Sequence, residues 1–415
     1  MNKKNISAGL ILTVALAFGF ASCKKEGCTD SNAENFNSEA KKDDGSCTYK
    51  SYTLEPTTVN GVSYTKVSGT IDESITLNAS TKYLLSGGVF VSNGATLTIE
   101  AGTTIYAADD NTVPFLAIHR GSKINANGTA DQPIVFTTVK SNPAAGDWGG
   151  IIVNGYAPVN NGVDPEGEGG TGKYGGTNAA DNSGVLRYVR VEYAGKQFTA
   201  DNELNGFSFN GVGNGTTLEY LQAYMVADDG FEFFGGTANL SYALSYGSGD
   251  DSFDFTYGWS GTGMNWRAEQ SATEGDRGIE GDNNSSNNAA APFSNPTLKN
   301  IELVGRDTSA HTVGMKLREG TKATVDNLVV SNFLKGIEIE HDQTLENVLA
   351  GDLTVINATV NGAASDISIK GSKDANGNTI NQTLVDDAKA SSNVKVDGSG
   401  TASTSWLTGS WYRNL

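Results

Sequence analysis

From about residue 60 onward, apolar and polar residues alternate in short runs bounded by Gly, Asn and Asp. That alternation predicts half-buried strands separated by tight turns. The runs also repeat. Asp229-Gly-Phe-Glu-Phe-Phe234 aligns with Asp251-Ser-Phe-Asp-Phe-Thr256 at an offset of 22 residues, pairing Phe231, Glu232 and Phe233 with Phe253, Asp254 and Phe255. Leu218, Tyr220 and Tyr224 stand at the same offset from Leu240, Tyr242 and Tyr246. Two strand patterns sharing one offset predict stacked coils, each adding a rung to several ladders. The first ladder is expected to run on through Phe207–Asn210, Val313–Leu317, Gly336–Glu340 and Asp366–Lys370. The second is expected to continue through Leu298–Leu303, Val325–Val330 and Leu353–Ile356. The fold class that follows is all-β, a single-stranded parallel β-helix over residues 60–415. A propeller would need blades of about 40–50 residues, and no unit of that size repeats. Segments 144–184 and 268–297 break the period and read as loops leaving the solenoid. The tail, residues 403–415 with Trp406, Trp411 and Tyr412, is expected to cap the last open coil.

Composition narrows the function classes. Of 415 residues, 51 are Gly, 8 are Pro and only 18% are charged, which suits a turn-rich β protein and argues against disorder by self-repulsion. A formal charge of −18 argues against a nucleic-acid partner. Three His and three Cys leave little material for a zinc or cysteine-protease centre. His119, His311 and His341 are dispersed and read as structural.

Residues 1–22 read as an export signal: Lys3 and Lys4, an apolar run from Ile6 to Phe20, then small residues. The run is short for a membrane span, which takes about 20 apolar residues. Phe20-Ala21-Ser22-Cys23 resembles a bacterial lipobox. The resemblance implies cleavage before Cys23 and covalent acyl chains, palmitate among them, on that residue. The membrane is then reached through a lipid anchor, and the acidic body is expected to stand off anionic lipid. With Cys23 acylated, Cys28 and Cys47 remain as a pair in an oxidising compartment, and a disulfide closing the 23–50 module is expected. Such a loop closure contributes roughly 3 kcal/mol. The enclosed segment is similar to a CTD…DDGSC repeat of Bacteroidetes surface proteins. Its hard oxygens, on Asp30, Asn32, Asp43 and Asp44 among others, admit two readings: a Ca²⁺ site, or side chains capping turns in a core-poor stalk.

Gly87–Ile105, Gly128–Thr137, Gly146–Ile152, Leu186–Gly195 and Asp228–Gly236 together resemble a recurring series in right-handed parallel β-helix lipoproteins of Bacteroidetes. The resemblance spans roughly residues 80–415. It implies the fold and an outer-membrane, lipid-anchored, surface-exposed location, and carries no activity with it. A transporter label sometimes given to such chains does not fit, since no other apolar stretch here approaches membrane-spanning length.

The acidic ladder is the sharpest chemical feature. Asp228, Asp229 and Glu232 sit one coil before Asp250, Asp251 and Asp254, and alternation with the phenylalanines turns the carboxylates outward. Stacked like charges are costly unless a proton or cation intervenes. One reading is a Ca²⁺ site on the flank, extended by Glu280 and Asp282; the other is a solvated acidic face. A catalytic version would use Asp229, Asp251, Glu232 and Asp254 as the acids of a glycoside hydrolase or polysaccharide lyase, with Arg267, Arg277 and Arg318 to hand. Trp148, Trp259 and Trp266 break the aromatic register and are expected to be exposed ligand-binding rings. Gly167-Glu-Gly-Gly-Thr-Gly172-Lys173 satisfies a phosphate-loop spacing, but Tyr174 replaces the needed Ser/Thr, so it reads as a chance match. The expectation favoured by these features is a monomeric, non-enzymatic binding or structural scaffold, stiffened by Ca²⁺, whose partner is a glycan, a protein or an outer-membrane transporter. The alternative is the polysaccharide lyase or glycoside hydrolase.

Overall fold

The computed structural model describes residues 25–31, 33–199, 202–306, 308 and 312–414. The leader, the lipidation candidate Cys23, Asn32 and His311 lie outside the described residues. The chain divides into two compact units, Met1–Lys50 and Ser51–Leu415.

In the first unit a disulfide joins Cys28 to Cys47 with Cα atoms 4.7 Å apart, as expected. Cys28 and Ala33 form its small buried centre. Asp43 Oδ1 and Asp44 Oδ1 accept from the backbone N–H groups of Gly45 and Ser46, and Asp30 Oδ2 accepts from Tyr49 Oη at 2.8 Å. Turn capping is therefore what Asp43 and Asp44 do here.

The second unit is a parallel β-helix. It opens with an antiparallel hairpin, Tyr52–Val59 against Val62–Ile71, and strand pairs along the solenoid are then parallel. The 22-residue register holds: Phe231, Glu232 and Phe233 pair with Phe253, Asp254 and Phe255. Leu218 pairs with Leu240 and Tyr224 with Tyr246. Phe207–Asn210 precede them, and the rungs Val313–Leu317, Lys335–Glu340 and Ser365–Lys370 follow. Equivalent rings stack inside. Phe207, Phe231 and Phe253 lie 5.0 and 5.2 Å apart in succession, all fully buried.

Three expectations are corrected. First, the period-breaking segments each hide a rung: Ile151–Asn154 within 144–184, and Arg277–Gly281 within 268–297. These rungs are short and glycine-flanked, so their pattern is weak beside that of the phenylalanine rungs. Second, Trp148, Trp259 and Trp266 are interior, at 1%, 0% and 1% exposure. Their Nε1 atoms donate to the carbonyls of Glu192, Ala238 and Leu240. Trp266 lies on a further rung, Thr262–Glu269, where Gly263 stands in the column of Leu240 and Leu298. The missing side chain leaves interior space that the indole fills: a Cβ on Gly263 would meet Trp266 at 2.6 Å. Third, the tail does not cap the last coil. Helix α1 (Asp342–Ala350) and helix α2 (Gln382–Ala390) bury Leu345, Val348, Leu384, Val385 and Ala388 against the terminal core.

The tail instead runs back along a corner of the solenoid. Each long rung turns at one residue in the left-handed region: Tyr188, Tyr220, Tyr242, Asn265, Asn300, Asn327 and Asn357. Asparagine tolerates that conformation, and its amides join coil to coil, Asn300 to Asn265 at 3.1 Å and Asn327 to Asn300 at 2.8 Å. Tyrosine tolerates it less well, and here the rings stack at 4.4 and 4.3 Å. Thr401 N donates to Asn327 Oδ1, Trp406 packs on Tyr242, and Trp411 meets both Tyr220 and Tyr188. Gln222 and Arg413 exchange two hydrogen bonds of 2.7 and 2.8 Å. Trp411 is fully buried by this seat. Trp411→Ala is expected to cost about 3–5 kcal/mol of stability, read from the denaturant midpoint. An unchanged midpoint would mean that the strap does not hold the coils.

Candidate functional site

Strand alternation and coil stacking place three columns of side chains beside one another on the outward face of the first ladder. The column at the start of the rungs is Asn205, Asp229 and Asp251. Asp229 N donates to Asn205 Oδ1, Asp251 N to Asp229 Oδ1 at 2.8 Å, and Arg277 N to Asp251 Oδ1 at 2.8 Å. Each side chain thus satisfies the backbone of the next coil. The middle column is Ser208, Glu232, Asp254, Glu280, Lys316 and Glu338 by strand register. The third is Asn154, Asn210, Phe234 and Thr256.

Most of the outward carboxylates are buried or half-buried. Asp229, Asp251 and Glu280 are 6%, 2% and 7% exposed, while Glu232, Asp254 and Asp228 are half-buried and Asp250 is exposed. Carboxylate oxygens converge in threes, within 4.8 Å of one another: Asp228 with Asp229 and Asp250, Asp229 with Glu232 and Asp254, Asp250 with Asp251 and Asp276, and Asp251 with Asp254 and Glu280. Four of the acids, Asp229, Glu232, Asp251 and Asp254, have their pKa raised well above the carboxylate range by burial first and by neighbouring carboxylates second. Burial, with Glu203 and Asp250 beside it, pushes Asp228 up to about 8.

The column has two electrostatically different halves. Downstream, signs alternate. Arg277 pairs with Asp276 at 2.7 Å, Glu280 at 2.9 Å and Asp251 at 3.5 Å. Arg318 pairs with Glu280 at 2.7 Å and Asp282 at 2.9 Å. Lys316 and Lys370 bracket Glu338 and Glu340, and Glu340 is held down at about 2: burial opposes the charge, but Lys370 and Lys316 outweigh it. Upstream, among the described residues, no lysine or arginine pairs with Asp228, Asp229, Glu232 or Asp254. Asp254 Oδ1 is sealed from solvent with no hydrogen-bond partner.

Two elements outside the repeat close over the upstream half. The Gly167–Gly172 turn holds Glu168, whose pKa burial and the charge of Glu203 raise to about 7. Its backbone is tied to the hairpin strand that carries Glu203, Gly169 N donating to Asn202 Oδ1. Sequence reasoning missed Glu168, Glu203, Asn205 and Asn210. The only signal was positional, since excursions from a regular solenoid tend to lie over its working face. Arg267 stands elsewhere, paired with Glu269 and Glu302. His341 Nδ1 accepts from Glu319 N, a structural role.

The structure thus brings together Asp228, Asp229, Glu232, Asp250, Asp251 and Asp254 as the sequence expected, and removes Trp148, Trp259 and Trp266 from the site. Residues 69–412 match a family model described as a pectate-lyase-like β-helix domain. Among solved structures, the chain is matched to the catalytic domain of a GH87 alpha-1,3-glucanase in complex with tetrasaccharides. It is 12% identical, with a TM-score of 0.36, covering 86% of this chain and 71% of that one. No curated protein matches the chain.

The shifts set a pH dependence for the metal-free protein. Unfolded carboxyls titrate near about 4, whereas Glu168 and Glu280 titrate at about 7 and Asp228 at about 8 when folded. Between those values the folded chain holds more protons than the unfolded one. The stabilisation is complete below about 4 and is lost as pH rises through 7 to 8. In chelator, the urea midpoint is expected to fall steadily from about pH 5 to about pH 8. A flat or rising profile would show that the column is not desolvated.

Proposed function

Because the chain belongs to the pectate-lyase-like β-helix domain family, which supplies a scaffold and leaves chemistry to the side chains on its rungs, we propose that it is a glycan-binding scaffold of the cell envelope whose carboxylate column holds Ca²⁺. The observation that carries this reading is the uncompensated upstream half of the column. Asp229, Glu232 and Asp254 converge from two coils, Asp228 and Asp250 adjoin them through Asp229, no lysine or arginine among the described residues pairs with Asp228, Asp229, Glu232 or Asp254, and one oxygen of Asp254 is buried and unbonded. Hard carboxylate oxygens in that number suit Ca²⁺, which takes six to eight oxygen ligands. A divalent ion there would neutralise the repulsion and tie adjacent coils together. The lipobox-like Phe20–Cys23 supports acylation of Cys23, and with it a lipid-anchored, outer-membrane, surface-exposed placement for a monomeric protein. Calcium is expected to raise the melting temperature, more at about pH 8 than at about pH 5, because protons already relieve the column in acid. Asp254→Asn should raise the melting temperature of the chelated protein and abolish the calcium increment. A melt indifferent to both calcium and chelator would remove the metal.

A second reading is favoured by the same raised pKa values. Asp228 at about 8 and Glu280 at about 7 are protonated or partly so near neutrality, and stand within 4.8 Å of other carboxylates. An acid beside a carboxylate at about 5 Å is the geometry of a retaining glycoside hydrolase. A lyase fits less well. Burial opposes the charge on Arg277 and Arg318, but their carboxylate partners outweigh it and raise both pKa values, so neither can act as a base. A hydrolase would release reducing ends from at least one neutral polysaccharide and lose at least about a hundredfold in rate as Glu232→Gln. Silence across a broad polysaccharide panel would leave the scaffold.

A further inference from the structure

The tail strap lies outside a body that is already closed. On the rungs that carry Tyr188, Tyr220 and Tyr242, the residues Leu186, Leu218 and Leu240 are fully buried and pair in succession, and among the described residues no strand of the tail joins the sheet. The strap is held instead by anchors near its end. Trp411 enters beside Tyr188 and Tyr220, its carbonyl accepts from Arg190 Nη1 at 2.9 Å, and Ser410 N donates to the carbonyl of Ala130 at 2.8 Å. Arg413 lies over the Tyr224 ring at 4.4 Å and pairs at 3.1 Å with Glu192, which is only 5% exposed. With the two Gln222 bonds, the seat selects a buried indole followed two residues later by a guanidinium. Tyrosine at this corner is not needed for the turn itself. Tyr188, Tyr220 and Tyr242 hold φ at 51°, 54° and 62°, a conformation that asparagine supplies on the four later coils. What the tyrosines add is the ring surface that receives Trp406 and Trp411.

The root of the strap is far from this seat. Asp397 N and Gly398 N both donate to Ala358 O, and Thr401 N donates to Asn327 Oδ1, on the last coils. Between root and anchors, residues 402–405 are exposed and small or polar. Ser403 and Ser405 bond to each other, and Ser403 O accepts from Trp406 Nε1, but among the described residues no hydrogen bond ties 402–405 to a rung. Such a segment is a flexible linker. Released back to Gly398, the eight residues to Trp406 reach up to about 27 Å. The chain's own tail therefore wins its seat by proximity, since a short flexible linker supplies an effective concentration in the millimolar range. The contacts themselves do not distinguish that tail from the tail of another copy.

We propose that the tyrosine corner is an acceptor site for the tail of a second copy of this chain, so that neighbouring copies exchange straps. In dilute solution the closed monomer prevails, and crowding of copies shifts the balance toward exchange. Each copy carries a formal charge of −18, so exchange needs enough salt to screen their repulsion. Sedimentation velocity on the full chain at about 0.15 M salt tests this with two complementary variants. Trp411→Ala keeps the seat and loses the anchor. Tyr188→Asn with Tyr220→Asn keeps the anchor and loses the seat, and asparagine suits the left-handed turn. Neither variant has a matched pair within one chain. Each alone is expected to stay monomeric, while their equimolar mixture forms a heterodimer at about 50 μM, well below the millimolar concentration that a covalent tail supplies. Adding Arg413→Ala to the seat-deficient copy, which donates the tail, should weaken the heterodimer by about tenfold or more. Should a variant not fold, Arg413→Ala replaces the first and Gln222→Ala the second. A mixture that stays monomeric overturns the proposal and leaves the strap as a clamp within one chain. Dimers of either variant alone, or a heterodimer indifferent to loss of the Arg413 side chain, also overturn it, because the contact then lies elsewhere.

Discussion

Each coil lies about 4.8 Å above the last, so every side chain faces its own equivalent one coil away. The rest of the molecule answers to that spacing. For apolar and aromatic positions the constraint is favourable, because like packs on like: Phe207 on Phe231 on Phe253 forms a continuous dry column. For amides it is also favourable, since each can donate to the next, as Asn327 does to Asn300 and Asn300 to Asn265. For carboxylates it is unfavourable, and the structure relieves it in three ways. Backbone amides of the next coil take up Asp229 and Asp251. Alternation of sign relieves Glu280, Lys316 and Glu338. Around Glu232 and Asp254 neither device is present among the described residues; Asn205 Nδ2 donates to Glu232 Oε2 at 2.5 Å, and for the remaining repulsion protons or a cation are left.

The same spacing explains where the size of one residue is corrected by another. A column can hold a glycine only if a neighbouring column supplies volume, and Gly263 with Trp266 is that exchange. The corner column shows the conformational version. Seven successive coils turn at a left-handed residue, and where that residue is tyrosine instead of asparagine, the ring stack and the buried Trp411 offset the backbone cost.

The fold was largely legible because its signal is long-range and redundant. Phe231 with Phe253 and Tyr224 with Tyr246 report one offset from two faces, and both pairings are present in the structure. The outward turn of Glu232 and Asp254 followed from strand alternation alone. What was not legible is what depends on departures from the repeat. Rung Arg277–Gly281 has one strongly apolar residue, Ile279, and no pattern to announce it. Trp266 looked out of register because its neighbour Gly263 has no side chain to mark the column. The tail carried an apolar signal, but nothing in it told an end cap from a strap, since both require buried tryptophan.

The site itself needs both kinds of information. A perfect solenoid would present Asp229, Glu232, Asp251 and Asp254 on an open flank, where water screens their repulsion and their pKa values stay ordinary. The excursions change that. The turn carrying Glu168 and the hairpin carrying Glu203 add two further carboxylates over the upstream coils. Desolvation is the first cause of the shift at Asp229, Glu232, Asp251 and Asp254 alike, ahead of any single neighbour. Repetition therefore sets the spacing of the acids, and interruption of the repeat sets their chemistry. A cavity beside the column lies at that junction, with Asn210 and Phe234 contributed by the rungs and Asn161 and Glu168 by the excursion.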